Sequence, residues 1–155
     1  TTGCVIVSTL AAQTTVTVNG VLGVFLGCSY TNPATKQKVF QQYWPGYASG
    51  VTDAVAYIAD DPDTLFQAAT VSSGTTIAYY GQTIVGNNVS LILNSGSTTT
   101  GDSGIAISGA SAVTTLLPMR VIAAVPDTAN SSGNFCEFIV KFNFGYHSYY
   151  NQTGV

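Results

Sequence analysis

Charge is what this sequence has least of. Asp, Glu, Lys and Arg make up 7% of its 155 residues, against roughly 25% in an ordinary soluble protein. The surface must therefore be built from Thr, Ser, Asn, Gln, Gly and Tyr. Such a surface repels its neighbours weakly. It suits proteins packed against other proteins, as in coats, shells and fibres. Only Lys36, Lys38, Arg120 and Lys141 are basic, and the formal net charge is −3. A duplex-binding protein neutralises several phosphates with Lys and Arg, so no nucleic-acid partner is expected.

Other scarcities narrow the chemistry. There is one histidine, His147, and one glutamate, Glu137. The three cysteines are Cys4, Cys28 and Cys136. An odd number cannot close into a complete intramolecular disulfide framework. Cys4 and Cys28 lie in apolar runs, so buried free thiols are expected, which fits assembly in a reducing cytoplasm. No close pair of Cys or His has the spacing of a metal site, and no cofactor is expected. The longest apolar run, residues 21–28, is far too short to cross a bilayer. The first residues lack the basic start of a signal peptide, and no membrane partner is expected.

What the chain does have is apolar bulk: 46% hydrophobic and 11% aromatic residues. At this length a single domain can bury a core without metals or disulfides. We read residues 1–155 as one β domain, with residues 1–18 as an N-terminal arm or edge strand.

Period-two patterns dominate. Residues 14–18 alternate and are rich in β-branched side chains. Asn19-Gly20 follows as a hairpin signal, and residues 21–25 read as the return strand. Residues 30–35 form a polar turn, and residues 39–43 a further strand ended by Trp44-Pro45-Gly46. Residues 54–59 fit either a helix capped by Asp53 or a strand, and the alternation of Val55, Tyr57 and Ala59 favours the strand. The turn at Asp60-Asp61-Pro62-Asp63 then leads into a strand at 64–68. Further strands are expected at 75–80, 89–93, 105–107, 116–124 and 135–144. Short strands at this spacing, without amphipathic helices between them, predict an all-β fold. The expected form is an antiparallel β-sandwich or barrel, jelly-roll-like or β-tulip-like, with long Gly/Ser/Thr/Asn loops.

Gly101-Asp102-Ser103-Gly104 copies the nucleophile loop of chymotrypsin-like proteases. That chemistry needs a His to take the Ser proton and a carboxylate to orient the His. In those enzymes both precede the serine, whereas His147 follows it here and Ile105 replaces a glycine. A Thr/Gly/Ser turn is the expected reading, with no catalytic residues. Asp60, Asp61 and Asp63 lack a calcium-loop pattern and read as a turn. Glu137 stands alone on an expected strand, without the second acid that glycoside chemistry needs. Three Asn-X-Ser/Thr triplets, at Asn88, Asn130 and Asn151, are expected by chance in so hydroxyl-rich a chain. The aromatic residues Tyr43, Trp44, Tyr47, Tyr146, Tyr149 and Tyr150, with His147, are the candidate interface. Rings give large contact area at low entropic cost. A carbohydrate-binding or adhesin-like β domain is the alternative use for them.

Several pieces in order along the chain resemble small head decoration (cement) proteins of tailed bacteriophages, encoded near the major capsid gene. They are residues 20–33, Gln42-Tyr43-Trp44-Pro45-Gly46, residues 56–63, residues 96–104, residues 117–122 and residues 144–149. The resemblance implies a virion protein clamped on the outer capsid surface. Its partners would be the major capsid protein and two further copies of itself, in a homotrimer. It would assemble in the host cytoplasm, with no enzymatic activity.

Overall fold

The computed structural model describes residues 23–44, 50–97, 99–114, 116–128 and 136–143, and the backbone of residues 15–16. In chain order the strands are β1 (Thr15–Val16), β2 (Val24–Thr31), β3 (Lys38–Gln41), β4 (Val55–Ala59), β5 (Phe66–Ser73), β6 (Thr76–Ile77), β7 (Asn88–Val89), β8 (Leu91–Ile92), β9 (Ala106–Ser108), β10 (Met119–Ala124) and β11 (Glu137–Phe142). Two single-turn 3-10 helices, Gly81–Ile84 and Gly109–Ser111, join them. The fold is all-β, as the alternation predicted.

β11 shows why. Phe138, Val140 and Phe142 are buried, while Glu137, Ile139 and Lys141 are only partly covered. Each buried side chain of this size contributes about 1.5–3 kcal/mol by leaving water. The inward set joins Met119 and Val121 of β10, Val89 of β7, Ile107 of β9 and Cys136 in one core. Phe66 of β5 meets Phe142 edge to face, with ring centroids 5.3 Å apart. A second, smaller cluster of Val71, Ile92 and Ala106 lies on the other face of the same strands.

These strands belong to one sheet in the order β1-β8-β9-β5-β11-β10-β7, with β6 added to β5. β7 and β8 are halves of one extended segment, split only by Ser90. β7 pairs with β10 and β8 with β9, so this segment joins the two ends of the path. The sheet returns on itself as a small barrel around the core. The seam is well bonded. The Ser90 carbonyl accepts from the Ser108 amide at 2.9 Å. The Ser90 amide and hydroxyl both donate to Ser111 Oγ, at 3.0 and 2.7 Å, and that hydroxyl donates onward to the Ser108 carbonyl at 2.8 Å.

A separate three-stranded sheet, in the order β3-β2-β4, is antiparallel throughout. The polar turn expected at 30–35 is the β2–β3 connection. Asn32 closes it with its backbone, to Lys36 and Gln37, and its side chain accepts from the amides of Ala34 and Thr35. Gly27 makes a bulge in β2. A side chain there would stand 2.8 Å from the Gln41 carbonyl oxygen, and φ is +150°, which favours glycine.

Several expectations need correction. Among the described residues β1 does not pair with residues 23–25. It pairs with β8, and the strand expected at 21–25 begins at Val24 and runs to Thr31 in the other sheet. Asn19-Gly20 itself lies outside the described residues. The sheet is also not wholly antiparallel, because β5 and β9 run parallel. The intervening chain is long enough for the crossover that parallel pairing requires. The strand expected at 89–93 is interrupted at Ser90, where the segment changes neighbours. That at 75–80 shrinks to two residues.

Candidate functional site

The loop holding Ser103 is a surface turn. Ser103 is exposed and its Oγ accepts from the Ile105 amide at 3.2 Å. The two arms of the loop approach backbone to backbone, so that a side chain on Gly104 would meet the Ser95 carbonyl oxygen at 2.5 Å. Gly101 faces the Gln42 side chain. Among the described residues Ser103 has no base beside it.

Four of the seven acids are spent on structure. Asp61 accepts from the Asp63 amide at 3.1 Å and from Thr64 Oγ1 at 2.8 Å, an aspartate-closed turn. Asp63 pairs with Lys141 at 3.4 Å. Glu137 accepts from Gln67 Nε2 at 2.6 Å across β11 and β5. Among the described residues no group of three or more His, Cys, Asp or Glu could hold a metal ion. Asp53 caps no helix. Its carboxylate accepts from the Thr31 hydroxyl at 2.6 Å and the Thr31 amide at 2.8 Å, and it pairs with Lys38 at 3.3 Å. The Thr31 bonds, helped by Lys38, lower its pKa to about 2.

Cys28 and Cys136 are free and buried. Their thiols donate to the carbonyls of Tyr43 and Ala78, and burial pushes the Cys28 pKa up. Cys4 lies outside the described residues. Asn88 is buried and its side-chain oxygen accepts from Arg120 Nε at 3.0 Å, so it is not presented as a glycan acceptor.

Of the aromatic candidates, Tyr43 and Trp44 follow β3 and are both half-buried. Trp44 meets Tyr30 edge to face at 5.5 Å, so it helps to cover the inner face of the small sheet. Tyr47, Tyr146, His147, Tyr149 and Tyr150 lie outside the described residues.

The other face of the small sheet is the feature that sequence reading missed. Register places Ser29 between Phe40 and Val55, Gly27 beside Tyr57, and Val24 beside Ala59, all on one side. Leu26, the extra residue of the bulge, lines the same shallow hollow as Phe40 and Tyr57. Phe40 is 69% exposed, Leu26 61%, Val55 48%, Tyr57 45% and Val24 38%. Lys38 and Asp53, paired with each other, sit at the rim. This is a largely apolar sheet face whose exposed side chains surround the buried Ser29. No family model, curated protein or solved structure matches the chain.

The arrangement suits burial against another surface. The Tyr57 hydroxyl is already bonded to Ser29 Oγ at 3.1 Å, so its ring presents an apolar flank at little polar cost. Each strand is apolar on both sides, as in Val24-Phe25-Leu26. Periodicity therefore marks the two faces without saying which is covered. The Gly27 bulge, which puts Leu26 on the open side, has only the glycine itself as a sequence signal.

Proposed function

We infer that this is a structural virion protein, a decoration protein that binds the outer surface of an assembled phage head and stabilises it. The observation that carries this reading is the open apolar face of the three-stranded sheet, which fits the self-association that lets such a protein touch several capsid subunits at once. Exposed apolar areas of this extent mark sites of protein contact. The charge-poor surface supports the same reading, and so does the ordered resemblance of motifs along the chain to head decoration proteins. The partner is the major capsid protein, and the protein self-associates as a trimer. Its chemistry is burial and hydrogen bonding between neighbouring subunits. A trimer touches several capsid subunits at once, and linked weak contacts raise avidity by about 10²–10⁴ over a single one.

The test strips the protein from purified heads, adds it back, and measures binding and the resistance of the shell to heat. Tight binding to shells, weak binding to free capsid subunits and a heat-stabilised shell are expected. Binding should weaken only slightly with salt, because few charges are available to be screened. Equal binding to shells and free subunits, or no gain in shell stability, would count against the reading. A receptor-binding β domain would then be favoured.

A further inference from the structure

We propose that the open face of the three-stranded sheet is where copies of this chain meet, its occupant being a second copy. This gives the self-association in the reading above a surface, and it holds for the free protein without any shell.

The face has the right size. At about 200 Å² per aromatic ring and somewhat less per aliphatic side chain, its five exposed apolar residues offer on the order of 500 Å². That is the scale of the apolar centre of a standard interface, which buries about 800 Å² on each partner.

Its charge favours a copy over a foreign partner. Symmetric association brings equivalent regions of one face together, so that unpaired charges tend to meet their like. The only charged side chain within β2, β3 and β4 is Lys38, and Asp53 already neutralises it at 3.3 Å. The face therefore meets itself without repulsion. A partner chosen by charge complementarity finds nothing here to grip.

Its shape is self-complementary as well. Phe40 stands out as the most exposed large apolar side chain described. Beside it lies an open hollow of about 260 Å³, lined by Leu26, Gly27, Cys28 and Tyr57 and, directly after Phe40 in the chain, by Gln41 and Gln42. A ring fits such a space. Knob and hollow lie side by side, so a copy related by rotation can seat each Phe40 in its neighbour's hollow. One repeated contact of this kind closes a ring.

The experiment is sedimentation equilibrium on purified protein, in parallel with Phe40→Asp. Circular dichroism checks that each variant keeps its fold. Phe40→Thr retains a strand-forming residue and takes the place of the charged variant if that one misfolds. The wild type should form a closed oligomer. Each folded variant should dissociate at a concentration roughly 30-fold higher or more, as for loss of a central aromatic anchor. A wild type that stays monomeric at all concentrations overturns the proposal. So do variants that assemble as tightly as the wild type. Because no shell is present, failure here is separate from failure to bind heads. A monomer that still binds and stabilises shells would give this face to the capsid.

Discussion

At the residue scale, two side chains report on the electrostatics and hydrogen bonding of the fold. Asp53 has an ordinary carboxylate pKa of 3.8 when unfolded and about 2 in the native sheet, owing first to its bonds from Thr31. A lowered native pKa means that its contribution is complete above pH 4. The contribution is lost as pH falls from about 4 to about 2. Asp53→Asn should therefore flatten the acid sensitivity of the protein within that window, as read from denaturant midpoints at pH 6, 4 and 2.5. An unchanged pH profile would show that the Thr31 bonds add nothing. Thr70 is the opposite case. Its hydroxyl is buried with no hydrogen-bond partner among the described residues, which costs free energy on folding. Thr70→Val keeps the shape and removes the hydroxyl, so it should stabilise the protein by about 1 kcal/mol in urea unfolding. Ser103→Ala, on the exposed turn, should change stability by no more than about 0.5 kcal/mol. Reaction of native Ser103 with a serine-directed phosphonate would instead reopen a hydrolytic reading.

At the scale of elements, the strands were legible wherever alternation and turn chemistry agreed. Residues 55–59 and 137–142 are strands for the reasons the sequence suggested; Asp61 closes the turn after the first of them, and Asn32 the turn between β2 and β3. Pairing partners were not legible. Nothing local in Thr15–Val16 points to Ile92 and Leu91, seventy-five residues and more away, because partner choice depends on which faces are buried together. Of the expected hairpin, the described residues show Thr15–Val16 on β8 and Val24 on β4 for that reason. The candidate site was legible only in part. Tyr43 and Trp44 were found, but Trp44 covers a face of the small sheet, whereas Phe40 and Leu26 are the rings and branches left open. Ser90 was equally invisible, since a serine within an apolar strand gives no sign of marking a change of neighbours. Ser111→Ala should expose that role. It removes the acceptor of both the Ser90 amide and the Ser90 hydroxyl, each of them buried. An unsatisfied buried group costs roughly 1–3 kcal/mol, so a loss of about that size is expected in urea unfolding. A loss near zero would mean that the Ser90–Ser111 contact is not part of the seam's stability.

At the scale of the molecule, the barrel and the small sheet differ in one respect that bears on lifetime. Among the described residues the small sheet has two free edges, while the segment from Asn88 to Ile92 belongs to both sides of a closed ring. Removing that segment breaks the contacts with β10 and with β9 together, so the ring has no end from which to fray. Opening must then be concerted, and amides within the ring should exchange with solvent only when the whole barrel unfolds. Native-state hydrogen exchange would show this as one shared opening free energy for the amides of Val89, Ile107 and Val121, equal to the global value, with lower values in β3 and β4. A graded series across the ring would contradict it. Such a ring resists proteases well, because cleavage requires an open chain and the ring offers few partly open ones.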